Sequence, residues 1–195
     1  MLTGLLADVH GIFTNKRYQL IPDGLTVYER IEALDSDIKT AHISGKGKHF
    51  GERTFGNVVE DVDFFLAEKM SPTKGANTAM ALIREWYDSD FFIVCHFNQP
   101  DRSGHKYGVD SDRYEKMILV CDRQLGRLLG ELARQDILEE TAVYVLSDHG
   151  FGNPTPFSHT KAPDTFIISS EDGIGDMLMM EDVAGFLLDH FGLEP

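Results

Sequence analysis

Phe91 to Phe97 reads FFIVCHF, and Asn98-Gln99-Pro100-Asp101-Arg102-Ser103-Gly104-His105 follows at once. A near-continuous apolar run flanked by polar residues suits a strand covered on both faces, as in a parallel sheet. Downstream, Ala142 to Leu146 (AVYVL) repeats the pattern and leads into Ser147-Asp148-His149-Gly150. Between the two runs lies the longest helical pattern, Ser111 to Gln135. Its apolar stripe is Tyr114, Met117, Ile118, Cys121, Leu125, Leu128, Leu129 and Leu132, with Ser111 as N-cap. Strand, helix and strand in that order predict an α/β fold around a mostly parallel sheet.

Working outward, the same alternation continues. Thr26 and Glu29 form a capping-box signature, with Val27, Ile31 and Leu34 at helical spacing behind it. Lys39 to Ser44 reads as a strand and Gly45 to Gly51 as a Gly- and Lys-rich loop. Asn57 to Ala67 is expected to form a short helix, Pro72 a break, and Gly75 to about Asp88 a helix with Ala79, Met80, Ile83, Trp86 and Tyr87 on one face. Thr165 to Ile168 is a third strand candidate. A closing helix covers Asp182 to His190, with Gly192 at the stop position.

The polar residues fall where an open parallel sheet binds ligands, beyond the carboxyl ends of its strands. Asp and His are good ligands for zinc or a similar divalent ion. A turn carrying the D-x-x-x-H spacing can aim Asp101 and His105 at one point. Asp148 and His149 are neighbours at a strand end, where successive side chains point to opposite sides, so they serve two ions more easily than one. That favours a two-metal site of the kind hydrolases use to clamp both oxygens of an in-line displacement. His159 lies in a Pro- and Gly-rich loop able to return to the cluster. Asp and His at strand ends also act as caps, turn residues or solvated groups, so spacing alone leaves both readings open.

Composition bounds the partners. The chain has 195 residues, a hydrophobic fraction of 42% and a formal net charge of -14. That charge argues against nucleic acid, which needs a basic face, and against an anionic membrane surface. An acidic chain can still take a phosphate ester when bound cations reverse the local field. Cys95 and Cys121 sit in an apolar run and a helical pattern, so buried free thiols are expected. No stretch has membrane-spanning length. Met1 to Gly11 lacks the basic flank of a signal peptide, which favours a cytoplasmic location.

The stretch PDRSGHKYGVDSDRYEKMILVCDRQLGRLLGEL, followed by AVYVLSDHGFG, resembles the alkaline phosphatase superfamily, closest to its phosphodiesterase/nucleotide pyrophosphatase and sulfatase-like branches. The landmarks P-D-x-x-G-H-x-x-G, Y-x-x-x-I-x-x-x-D-x-x-L/I-G-x-L and S-D-H-G occur in order, from Pro100 to Gly150. MLTGLLADVHGIFTN (1–15) and MEDVAGFLLDHFGLEP (180–195) are similar to further family stretches. The resemblance implies a three-layer α/β/α sandwich, with residues 1–195 as a single domain corresponding to the C-terminal two-thirds of the family domain. It implies that Asp101, His105 and His159 bind one divalent ion, zinc or manganese, and that Asp148 and His149 contribute to a second. Gly45-Lys46 and His49 faintly resemble a sulfatase motif, with altered spacing that favours a solvated loop lysine.

The resemblance also implies what is missing. The family nucleophile precedes the T-G stretch, here Thr3-Gly4, so no catalytic residue is assigned, and Thr3 is not given that role. The first strand and its metal-binding Asp would be absent as well, so two ions are expected in the complete enzyme and only one in this chain. The resulting unpaired sheet edge would admit another chain, including a second copy of this one. The expected function is metal-dependent hydrolysis of a small-molecule phosphate or sulfate ester. A non-catalytic metal-binding or assembly subunit and a cofactor-independent phosphomutase are the alternatives.

Overall fold

The computed structural model of this chain describes residues 2–14, 19–152, 157–159, 162, 165–172, 174 and 179–193. Met1 and Asn15, at the ends of the first family-like stretch, and Glu194 and Pro195 lie outside them. The elements in chain order are α1 (Ala7–His10), α2 (Val27–Leu34), β1 (Lys39–Ser44), α3 (Glu52–Phe55), β2 (Phe64–Ala67), α4 (Pro72–Trp86), β3 (Phe91–His96), α5 (Gln99–Tyr107), α6 (Asp112–Arg134), β4 (Tyr144–Leu146), β5 (Ile167–Ser169) and α7 (Asp182–Asp189). Short 3-10 turns cover Gly56–Asp61 and Leu138–Glu140. Two compact units result. One comprises Met1–Met70, Trp86–His96 and Gly175–Pro195, the other Ser71–Glu85 and Phe97–Ile174.

The first unit carries a parallel sheet of order β2-β1-β3. Lys39 to Ser44 of β1 pair with Phe91 to His96 of β3, and Ala41 to Ser44 with Phe64 to Ala67 of β2. The architecture is thus α/β on a parallel sheet, in keeping with the alkaline-phosphatase-like fold. Both faces of β1 are closed: Thr40, His42 and Ser44 are buried on one side, Ala41 and Ile43 on the other. Tyr28 and Ile31 of α2, Phe55, Val58, Phe92 and Leu188 of α7 form the core of this unit. Helix α2 starts as its capping box requires: Thr26 accepts from the Glu29 amide, and the Glu29 carboxylate accepts from the Thr26 amide at 2.9 Å.

Three stretches differ from the sequence reading. Residues 57–67 are not a helix but a 3-10 turn followed by β2. Asp63 explains the start of that strand, because its carboxylate accepts from the Thr40 amide at 2.8 Å and from Lys39 Nζ at 3.1 Å, which docks Phe64 alongside β1. Aromatic residues suit that half-buried pleated surface, and tertiary pairing overrides local preference. Pro72 opens α4 rather than breaking the chain, since the first helical position has no use for the missing N–H. Residues 99–107 form α5, not a turn, and Pro100 again occupies the first turn.

The second unit holds α5, the long α6 and an antiparallel pair, β4 with β5. Ser111 caps α6 by accepting from the Tyr114 amide at 3.2 Å. The expected stripe of α6 is half-buried to buried, except that Ile118 is exposed. Glu131 on α6 is buried and takes a bidentate pair of bonds from Arg84 of α4, at 2.9 and 2.7 Å. Cys95 and Cys121 are both half-buried, and burial pushes the Cys121 thiol up to about 11. Among the described residues no helix is long and apolar enough to cross a membrane.

Candidate metal centre

All five candidate ligands lie in the second unit, and three of them meet on the carboxylate of a fourth, Asp101. Helix α5 places Asp101 and His105 four residues apart, hence on one face. His105 Nε2 stands 3.2 Å from Asp101 Oδ1. His159 Nε2 reaches the same oxygen at 3.2 Å, and His149 Nε2 at 4.0 Å. Asp148 Oδ2 is 3.4 Å from His149 Nε2. Ligand atoms of Asp101, His149 and His159 all lie within 4.8 Å of one another. The chain has left β4 by Leu146, so strand alternation no longer separates Asp148 from His149. The side chains of this adjacent pair converge on one side.

Local structure explains the convergence. After β4 the Ser147 hydroxyl donates to the His149 carbonyl at 2.7 Å, and the Ser147 amide donates to the Phe166 carbonyl at 3.2 Å. These bonds bend residues 147–149 toward α5. The Gly152 amide donates to the Ser158 carbonyl at 2.7 Å, which closes the loop and returns His159 to the cluster. Helix α5 ends at Gly108, whose φ of 82° is a left-handed value that favours glycine.

The hydrogen bonds of the rings fix what the nitrogens present. His105 Nδ1 lies 2.8 Å from the Phe157 carbonyl, and His159 Nδ1 lies 2.9 Å from the Gly150 carbonyl. A carbonyl only accepts, so each Nδ1 carries the proton, and a neutral ring then offers a lone pair at Nε2. Two lone pairs facing one carboxylate oxygen repel unless a cation lies between them. An N–H given to a backbone carbonyl with the other nitrogen turned inward is the usual arrangement of a metal-binding histidine. At zinc–ligand distances of about 2.0–2.1 Å, the edges of a tetrahedral site are roughly 3.3 Å. The two contacts of 3.2 Å on Asp101 and the 3.4 Å contact between Asp148 and His149 match that edge. The residues present therefore fit a divalent ion. The Asp101 side chain remains 20% exposed, although the Oδ1 that the histidines face is itself buried.

Aromatic rings wall the site. The Phe151 ring stands 5.3 Å from His105, 4.8 Å from His159 and 5.9 Å from Tyr114, between ring centres. Burial, and then the nearby Asp101 carboxylate, raise the Tyr114 phenol above its usual range. The sequence reading missed Phe151 and the two carbonyls of Gly150 and Phe157. Gly150 and Phe151 stand in the AVYVLSDHGFG stretch itself, but nothing in their residue type marks a carbonyl as an anchor. Lys46 and His49 belong to the turn after β1 in the first unit, and Lys46 is half-buried, not fully solvated.

Comparison with known proteins gives a family match over most of the chain. The type I phosphodiesterase / nucleotide pyrophosphatase family matches residues 55–189, a span containing every candidate ligand. A bis(5'-adenosyl)-triphosphatase, enpp4, from Xenopus laevis is 25% identical over 163 residues, covering 77% of this chain and 36% of that protein. Human ectonucleotide pyrophosphatase/phosphodiesterase family member 7 is 34% identical over 74 residues, 38% of this chain and 16% of its own. Venom phosphodiesterase 2 of Crotalus adamanteus is 34% identical over 59 residues, 30% of this chain and 7% of its own. The chain thus spans about a third of the first relative and less of the others.

Proposed function

This chain belongs to the type I phosphodiesterase / nucleotide pyrophosphatase family, and from that premise we propose that it serves metal-dependent hydrolysis of phosphodiester or phosphoanhydride bonds in small molecules. The observation that carries the reading is the pair of imidazole nitrogens, His105 Nε2 and His159 Nε2, each 3.2 Å from Asp101 Oδ1 with the opposite ring nitrogen tied to a backbone carbonyl. Asp101, His105 and His159 would hold one divalent ion. Asp148 and His149 are this chain's ligands for a second. The names of the relatives, a triphosphatase and phosphodiesterases among them, support phosphorus rather than sulfur as the substrate's central atom.

A divalent ion in such a site stabilises the charge that develops in an in-line displacement. The chain's own residues orient it: the Phe157 and Gly150 carbonyls hold the two rings, and Asp101 supplies the shared negative charge. No residue of this chain is assigned as the covalent nucleophile. The test is hydrolysis of bis(p-nitrophenyl) phosphate by the zinc- or manganese-loaded chain, with p-nitrophenyl sulfate as comparator. Phosphodiester turnover abolished by chelation supports the reading. Sulfate turnover alone would overturn the choice of phosphate, and bound metal without any turnover would favour the metal-binding or assembly subunit.

A further inference from the structure

Phe151 belongs to no ligand set, yet it touches every histidine of the site. Its ring centre is 5.3 Å from His105 at 72°, 4.8 Å from His159 at 49° and 6.5 Å from His149 at 81°. The tip of the ring points at Gly104 on α5. A Cβ on Gly104 would fall 2.3 Å from Phe151 Cζ, 2.6 Å from Cε2 and 2.9 Å from Cε1, distances no real side chain tolerates. Gly104 is therefore a notch in α5, one residue before His105, and the ring of Phe151 fills it. The neighbours of Phe151 complete the joint. The Gly150 carbonyl takes the Nδ1–H of His159, and the Gly152 amide ties the loop to Ser158 at 2.7 Å.

His149 makes the need plain. His105 and His159 are each oriented by a backbone carbonyl, whereas Nδ1 of His149 is buried with no hydrogen-bond partner among the described residues. Its Nε2 faces the Asp148 carboxylate at 3.4 Å, and the rest of the ring is held by packing against His159 at 3.9 Å and against Phe151. Contacts between aromatic rings are directional, so each one constrains the plane of its imidazole. One ring thus fixes the distance between α5 and the loop carrying His149 and His159.

We infer that Phe151, seated in the notch left by Gly104, is a positioning residue that sets the mutual orientation of His105, His149 and His159 for metal binding. The inference rests on the metal reading above. It goes beyond that reading by naming the side chain on which the ligand geometry depends.

The experiment measures zinc affinity by chelator competition, and the visible spectrum of the cobalt-substituted chain, for wild type, Phe151→Leu, Gly104→Ala and the double variant. Thermal unfolding of each metal-free chain is recorded alongside. Phe151→Leu keeps apolar bulk but removes the flat ring. It is expected to weaken zinc by about 10- to 100-fold, the usual effect of removing support behind a ligand, and to alter the cobalt absorption. A purely structural role would lower the melting temperature and leave affinity and spectrum unchanged. Gly104→Ala is expected to weaken zinc by displacing the ring, and the double variant to bind no worse than Phe151→Leu alone. Wild-type affinity and spectrum in Phe151→Leu would overturn the inference. Should Phe151→Leu fail to fold, wild-type affinity in Gly104→Ala would do so. A wild-type chain that binds no zinc would instead sink the metal reading itself.

Discussion

Tyr28 donates its phenolic O–H to Nδ1 of His42 at 2.9 Å, and both side chains are closed off from solvent. The tautomer follows from the other nitrogen, which donates to the Phe50 carbonyl at 3.0 Å. The neutral ring thereby fastens the turn after β1 to the core. Burial holds its pKa down, from 6.5 to about 4; the Phe50 bond opposes this and the nearby His96 adds to it. Above pH 6.5 the ring is neutral folded or unfolded, and its contribution is intact. As pH falls from 6.5 toward 4 only the unfolded chain takes the proton, so stability declines across that window. The loss is expected to be on the order of 3 kcal/mol. Urea midpoints from pH 7 to pH 4 for wild type and His42→Gln measure it, and parallel profiles would show that His42 is not the group responsible.

A second acid-sensitive joint lies between α4 and α6. The buried Glu131 carboxylate accepts from Arg84 at 2.9 and 2.7 Å, from Arg134, and from Gln135 at 3.0 Å. These bonds, that of Arg84 first, hold Glu131 down from 4.5 to about 2. Its contribution is complete above pH 4.5 and is lost as pH falls toward 2, a window below that of His42. Glu131→Gln should lower the melting temperature at pH 7 and flatten the acid limb of the stability profile between pH 4.5 and 2. An acid limb identical to that of wild type would rule the joint out.

Much of this was legible in the residues, and the reasons differ by element. The strand at 91–96 was legible from its near-continuous apolar run, and 39–44 from the alternation of Ala41 and Ile43 with polar neighbours, although the structure buries both sets. The starts of α2 and α6 read correctly because a cap is a local device between residues three apart. Strand β2 did not, because what starts it is Asp63 bonding across to Thr40, a contact no local window contains. The candidate ligands could be named from type and spacing. Their shared focus on Asp101 Oδ1 could not, since it depends on how residues 147–159 fold back toward α5. Phe151 went unnoticed for the same reason: its partner is an absence, the missing side chain of Gly104.

The capping box of α2 offers a simple check on local energetics. Thr26 is buried, and its side chain accepts from the Glu29 amide while the Glu29 carboxylate reaches back to the Thr26 amide. Thr26→Ala removes one half of the exchange and leaves an amide at the helix start unsatisfied. A loss of about 1 kcal/mol is expected, within the usual range of roughly 0.5–2 kcal/mol for such caps. Thr26→Ser keeps the oxygen and should recover most of it. Equal unfolding midpoints for the Ala and Ser variants would mean the cap bond contributes nothing measurable.

The two carboxylates of the candidate centre should behave differently when neutralised. Asp101 Oδ1 is the common neighbour of His105, His159 and, at 4.0 Å, His149, so it joins both histidines of the first ligand set. Among the described residues Asp148 touches the cluster through His149, at 3.4 Å. Asp101→Asn keeps the shape but removes the charge, and it should weaken the tightest zinc by more than about 100-fold, beyond what a change behind the ligands produces. Asp148→Asn should leave that ion in place and affect only a further, weaker one. Zinc titration by calorimetry, with elemental analysis of the dialysed chains, separates the cases. If Asp148→Asn released the tight ion and Asp101→Asn retained it, the division of ligands given above would be reversed.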